Sequence, residues 1–133
     1  MASESRHLTV TIERPAAEVY AYARDYRNLP AWAAGLAAGV ELVAGRWVAN
    51  SPMGQVEVRF VPVNDLGVLD HDVVLPSGEV VTNPLRVLAD GPDRCEVVFT
   101  ARRQPGTTDE RFAADVAAVT ADLAALKGVL ERR

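Results

Sequence analysis

The chain contains a single cysteine, Cys95, which excludes an internal disulfide and any zinc site built from cysteine. It has no apolar run approaching the eighteen or so residues of a membrane span, no signal peptide and no lipidation motif. Stable membrane insertion is therefore not expected, and the cytoplasm is the expected compartment. Basic clusters are also missing: the formal net charge is −4, with acids and bases interspersed, which argues against nucleic acid or an anionic membrane as partner. There is no nucleophile elbow, phosphate loop, paired-carboxylate pattern or metal-ligand spacing, and no cofactor or metal is expected. Internal repeats and low-complexity segments are absent too. What is present is 133 residues, 49% of them hydrophobic, enough for one domain over 1–133 with its own core.

The clearest element is the last. Phe112, Val116, Val119, Leu123, Leu126 and Leu130 recur at spacings of four, three, four, three and four, a helical period that no strand sustains. Thr107, with Glu110 three residues on, reads as a capping box opening a helix that runs to about Glu131, roughly 36 Å long. Ala113, Ala117, Ala121 and Ala124 form a second row, small enough to admit a close partner.

The partner is a sheet. His7–Glu13 alternates Leu8, Val10 and Ile12 against Thr9, Thr11 and Glu13, a half-buried strand preceded by a short flexible N-terminus at 1–6. Pro15 suits a helix start, and Ala16–Tyr26 follows with Val19, Tyr22, Ala23 and Tyr26 at helical spacing. A second short helix, capped by Asn28 and carrying Trp32, should stop near Gly35 or Gly39. From there to Arg103 valine-rich runs alternate with turns, giving six strands: 40–44, 46–50, 55–63, 68–75, 79–89 and 94–103. With the first strand they make a seven-stranded antiparallel sheet, and the fold class is α+β.

Three hairpins must agree on one buried face. Pairing Phe60 with His71 also pairs Val58 with Val73 and keeps Arg59 and Asp72 on the opposite face. The turn Pro76-Ser77-Gly78 then sets Val73 against Val81 and His71 against Asn83. A three-residue loop, Asp90-Gly91-Pro92, would pair Leu85 with Val97, Asn83 with Phe99, and Glu79 with Arg103. The inner face is then apolar except for His71, Asn83, Glu79 and Arg103. A buried polar group left unpaired costs roughly 1 to 3 kcal/mol, so these four either pair together or meet water or a ligand.

Several segments carry a family resemblance. They are Val10-Thr11-Ile12-Glu13-Arg14-Pro15 leading into Val19-Tyr20, then Asn28-Leu29-Pro30-Ala31-Trp32, Gly67-Val68-Leu69-Asp70-His71, Asn83-Pro84-Leu85-Arg86-Val87, and Arg103-Gln104-Pro105-Gly106-Thr107. With the element order, they make the whole chain resemble the START-like, helix-grip superfamily, the SRPBCC group of polyketide cyclases/dehydrases and lipid-transport proteins. The resemblance implies a curved sheet gripping the C-terminal helix around an internal cavity whose mouth lies near the short helices. It carries no common catalytic signature, and its members include carriers, enzymes and co-chaperones.

His71 is open to three readings: a core histidine bonded to Asn83, a ligand-recognition group donating to a carbonyl or phenol, or a general base. Asp70 and Asp72 alternate to the other face, which removes the metal site that their spacing suggests. Asn83 precedes Pro84, a signal for a bulge or sheet edge. Glu79 and Arg103 form an expected cross-strand ion pair. Walls are expected from Phe60, Phe99, Val73 and Val81 of the sheet, Tyr22, Tyr26 and Trp32 of the short helices, and Phe112, Val116 and Val119 of the long one. The expected function is binding of a small hydrophobic, ring-containing molecule by a monomer or homodimer. A cyclase- or dehydrase-type enzyme using His71 is the alternative, and a co-chaperone-like interaction module the second.

Overall fold

The computed structural model describes residues 2–34 and 37–133. In chain order the elements are β1 (Ser5–Ile12), α1 (Ala16–Arg24), a 3-10 turn (Tyr26–Asn28), α2 (Leu29–Trp32), β2 (Gly39–Val43), β3 (Arg46–Ser51), β4 (Gly54–Phe60), β5 (His71–Val74), β6 (Val80–Asn83), β7 (Leu85–Ala89), β8 (Cys95–Arg102) and α3 (Asp109–Glu131). Ser5 and Arg6, expected in a flexible terminus, pair with Arg102 and Ala101 and extend β1. The second short helix ends at Trp32; Gly35, one of its two expected stops, lies outside the described residues.

The single seven-stranded sheet is corrected to two sheets, of order β1-β8-β7 and β2-β3-β4-β5-β6. Pro84 is the cause. Its nitrogen cannot donate to a ladder, so the long run 79–89 breaks there, leaving β6 on β5 and sending β7 to β8. The sheets stay joined where the segment before β5 meets β7: Val68 bridges Arg86, Leu69 N–H donates to Leu85 O at 2.8 Å, and Val87 N–H donates to Gly67 O at 2.8 Å. Asp70 secures the junction, accepting from Leu85 N–H at 2.9 Å and gripping the Arg86 guanidinium at 2.8 and 2.7 Å.

The first two hairpins have the expected register, with Phe60 opposite His71, Val58 opposite Val73 and His71 opposite Asn83. The third is displaced by two residues: Leu85 faces Phe99 and Val87 faces Val97. Its loop is longer than three residues because Asp90 and Arg94 belong to the turn, joined by Asp90 N–H to Arg94 O at 2.9 Å and by a side-chain ion pair at 3.2 Å. A shift of two leaves every side chain on its expected face but changes its neighbour.

Helix α3 is capped by Thr108, one residue later than expected, its hydroxyl accepting from Arg111 N–H at 3.1 Å. Phe112, Leu123, Leu126 and Leu130 are buried, whereas Ala113, Ala117, Ala121 and Ala124 face solvent, so the alanine row is not the contact surface. The helix packs on β1, β8 and α2 while β4, β5 and β6 stand off from it. Its far end is latched to the β1–α1 junction: Arg14 Nε donates to Leu130 O at 2.9 Å, and Lys127 Nζ to Thr11 O at 2.6 Å. These bonds occupy carbonyls that a helix end and an edge strand leave open. The core lies beneath that half, around Ile12, Val19, Leu29, Leu85, Val97, Leu126 and Leu130.

Candidate functional site

Because α3 rests on one sheet and on α2 but not on β4–β6, a cavity of about 450 Å³ remains between its first half and the second sheet. The sheet wall is built from Val58, Phe60, His71, Val73, Leu75, Val81 and Asn83, with Phe99 and Ala101 from β8. Opposite stand Phe112, Val119 and Leu123 of α3, and Leu29, Trp32 and Ala33 close one end. Met53, Glu79, Arg102, Pro105, Arg111 and Asp115 also line it and are exposed, so they form the rim. The mouth therefore sits among the β3–β4 and β5–β6 turns and the start of α3, not beside the aromatic residues of α1.

Ten of the residues named from the sequence line this cavity: His71, Asn83, Phe60, Phe99, Val73, Val81, Trp32, Phe112, Val119 and Glu79. Four lie elsewhere. Tyr26 stacks on Trp47 with ring centroids 5.1 Å apart and accepts from Phe60 N–H at 2.8 Å, so it supports the wall from behind. Tyr22 lies under the Arg133 guanidinium, 5.3 Å from its ring centre, at the opposite end of α3. Val116 is half-buried outside the cavity lining. Arg103 pairs with Glu4 at 3.1 Å and Asp109 at 2.8 Å and donates twice to Thr107 O, fixing the loop that starts α3. The expected Glu79–Arg103 pair is thus absent, because the break at Pro84 and the shifted register carry the two apart.

His71 is the most constrained polar group of the wall. It is 6% exposed, with its ring edge-on to Phe60 at 5.3 Å and tilted against Phe99 at 6.2 Å. Nδ1 lies 3.1 Å from Leu69 O; a carbonyl oxygen only accepts, so the proton sits on Nδ1 and Nε2 keeps a lone pair. The expected His71–Asn83 bond is not formed. Neither Nε2 nor the Asn83 side chain has a protein partner among the described residues. Burial pushes the His71 pKa below the ordinary imidazole value, opposed by the Leu69 bond and by the charges of Asp70 and Asp72. Trp32, at the closed end, is 5% exposed, and its Nε1–H is the one fully buried side-chain polar atom without a partner among the described residues. A second, shallower cleft of about 170 Å³ also reaches His71 and Phe60 and is bounded by Arg59, Asp70, Asp72 and Thr82. Thr82 donates to Asp72 there at 2.6 Å.

The low His71 pKa has a thermodynamic consequence. The folded state resists a proton that the unfolded chain accepts near its ordinary pKa of ~6.5, so between the two values the unfolded state binds more protons. Stability should therefore fall as pH drops from neutral to about 5.5, a window in which ordinary carboxylates remain ionised. Urea unfolding at several pH values checks this: the slope should flatten in His71→Gln, and an equal slope in both proteins would refute the assignment.

Glu79 apart, the rim residues carried no sequence signal, since Met53, Arg102, Arg111 and Asp115 come from a turn, a strand end and a helix start that only the folded chain brings together. Ala101 and Leu75 were legible by parity, lying on the same face as Phe99 and Val73.

A cavity between antiparallel sheets and a long C-terminal helix is the arrangement of a helix-grip fold. The sequence model of the polyketide cyclase / dehydrase and lipid transport family matches residues 5–131, and the chain belongs to that family. No curated protein matches it. Among solved structures it is similar to the Zhui aromatase/cyclase from Streptomyces sp. R1128, with 21% identity, a TM-score of 0.71, and 98% of this chain and 96% of that one covered. It is also similar to a START superfamily protein from Mycobacterium smegmatis, with 14% identity, a TM-score of 0.71 and coverage of 96% and 97%. A Bacillus thuringiensis protein of uncharacterised function shares 15% identity at a TM-score of 0.74, with 95% and 98% covered. At such identities these likenesses establish the fold. Among the described residues, no helix is long and apolar enough to cross a membrane.

Proposed function

We propose that this protein binds a small hydrophobic, ring-containing molecule in the cavity between the second sheet and α3. The observation that carries the reading is a space of about 450 Å³ lined mainly by apolar side chains, with His71 and Asn83 on its sheet wall, within the size range of small-molecule sites. At a liquid volume of ~30 Å³ per water, it equals the space of about fifteen waters. Aromatic faces from Phe60, Phe99, Phe112 and Trp32 line it, and flat rings pack well against such faces.

The test is fluorescence titration with the neutral probe N-phenyl-1-naphthylamine. The wild-type protein should bind it with a blue-shifted, enhanced emission. Val119→Trp, which fills the space from a half-buried position on α3, should weaken binding at least tenfold while the melting temperature holds or rises. Absence of binding, or equal binding by both proteins, would remove the reading.

A second reading is a cyclase- or dehydrase-type enzyme using the same cavity. One observation favours it: the Nδ1 bond to Leu69 O leaves Nε2 of His71 without a protein partner among the described residues, while burial lowers the ring's pKa, so the lone pair of Nε2 is placed to accept a proton from a bound molecule. Of the solved relatives, the Zhui protein is named an aromatase/cyclase.

A further inference from the structure

The inner wall is specific about hydrogen-bond polarity. Reading His71 from sequence as a donor to a carbonyl is reversed by the fold: its one N–H is given to Leu69 O, and what remains is the lone pair of Nε2. A ligand carbonyl placed there would meet lone pair against lone pair. An anion would meet the same lone pair with no cation near, because the cationic lining residues, Arg102 and Arg111, are both exposed at the rim, and Arg111 is already held by Asp115 at 3.1 Å. Asn83 is the cross-strand partner of His71 and points to the same face, so its amide lies within reach of the same ligand atom. An acceptor beside an amide that both donates and accepts is the pattern that a hydroxyl satisfies, its O–H given to one group and its oxygen lone pair to the other.

Resting on the proposed cavity function, we infer that the ligand is a neutral ring compound carrying a hydroxyl group at its inner end, a phenol or enol in class. The O–H donates to His71 Nε2, and the Asn83 amide donates to the hydroxyl oxygen. The rings occupy the apolar space toward Phe112 and Val119. Compounds that present only a carbonyl, an ether or an anionic oxygen at that point leave Nε2 unpaired and are disfavoured.

Three probes of one ring size separate this inference from the reading on which it rests: 2-naphthol, 2-methoxynaphthalene and naphthalene, each titrated by its own fluorescence. A net hydrogen bond of ~1 kcal/mol is a factor of about five, and a matched pair of bonds brings the preference to about tenfold. 2-Naphthol should therefore bind about tenfold tighter than the other two. His71→Leu should abolish the preference while retaining naphthalene binding, and Asn83→Leu should reduce it. If all three probes bind the wild-type protein equally, the hydroxyl inference is overturned while the cavity reading stands. A preference that persists unchanged in both variants overturns it as well, by placing the hydroxyl elsewhere. If none of the three binds, the cavity reading fails first. The comparison of the three probes on the wild-type protein needs no variant to fold.

Discussion

Leu126→Asp is expected to abolish the cooperative melt of the protein. Leu126 is fully buried at the centre of the half of α3 that rests on β1 and β8, among Ile12, Leu85, Val97 and Leu130. Removing the leucine alone costs about 2 to 5 kcal/mol, and an unpaired carboxylate left in its place adds several more. The sum is comparable with the whole stability of a domain of this size, about 5 to 15 kcal/mol. Leu123 provides the contrast. It is 3% exposed and lies one turn away, but it lines the cavity, where water reaches a substituent through the mouth. Leu123→Asp should therefore unfold cooperatively at a lowered temperature, by about 2 to 3 kcal/mol. Circular dichroism melts of both variants decide it. The introduced carboxyl at 126 will have its pKa raised by burial, so stability should be lost as pH rises above ~4 and partly regained on acidification. A melt near wild type for Leu126→Asp would show that α3 presents another face, and equal losses at 123 and 126 would show that the cavity stops short of Leu123.

That contrast marks how far the sequence could be read. Periodicity identified α3 and its Leu123, Leu126 and Leu130 stripe, because a long amphipathic helix repeats its signal over six turns. It did not locate where wall gives way to core, since a cavity-facing leucine and a buried one have the same pattern. The same period offered Val116 as a wall residue, although the helix turns it past the edge of the cavity. Gly128 could mark close packing or fraying; the helix continues through it to Glu131, and a side chain there would meet only the flexible Arg132 guanidinium. On the sheet, parity was legible and pairing was not. Side chains alternate whatever the loop length, so His71, Asn83, Phe60 and Phe99 were assigned to the inner face correctly, while the third hairpin slipped by two and Glu79 lost Arg103. Pro84 announced a break, but the meeting of two sheets depends on where the chain goes after the break. The tautomer of His71 depends on a backbone carbonyl two residues away, Leu69 O, whose direction no side-chain pattern encodes.

Gly67→Ala is expected to be the most damaging small substitution outside the core, with a loss of about 3 to 5 kcal/mol. Two separate causes meet at this residue. Its φ of +72° lies in the left-handed region, where a β-carbon adds about 1 kcal/mol of strain. The β-carbon would also stand 2.1 Å from Val87 O, far inside contact distance, and the obstacle is backbone that cannot rotate away. Relief requires the segment to withdraw from β7, which breaks Val87 N–H to Gly67 O and strains the Leu69–Leu85 bond beside it. Each bond is worth about 0.5 to 1.5 kcal/mol. Gly91→Ala is the control, since φ there is +76° but nothing lies within 4 Å of the added carbon. It should cost the strain alone, so a Gly67→Ala loss no larger than that of Gly91→Ala would dispose of the contact argument. The effect should also travel to the site. Gly67 seats the segment that carries Leu69 and Asp70; Leu69 O holds Nδ1 of His71, and Asp70 grips β7 through Leu85 N–H and Arg86. If the segment lifts, the Nδ1 proton loses its fixed acceptor, and the ring no longer presents Nε2 in one orientation. Nitrogen chemical shifts of the His71 ring, well separated for the two tautomers in the wild-type protein, should move toward averaged values in Gly67→Ala and stay put in Gly91→Ala. The glycine thereby sets a hydrogen-bond polarity inside a cavity that it does not line.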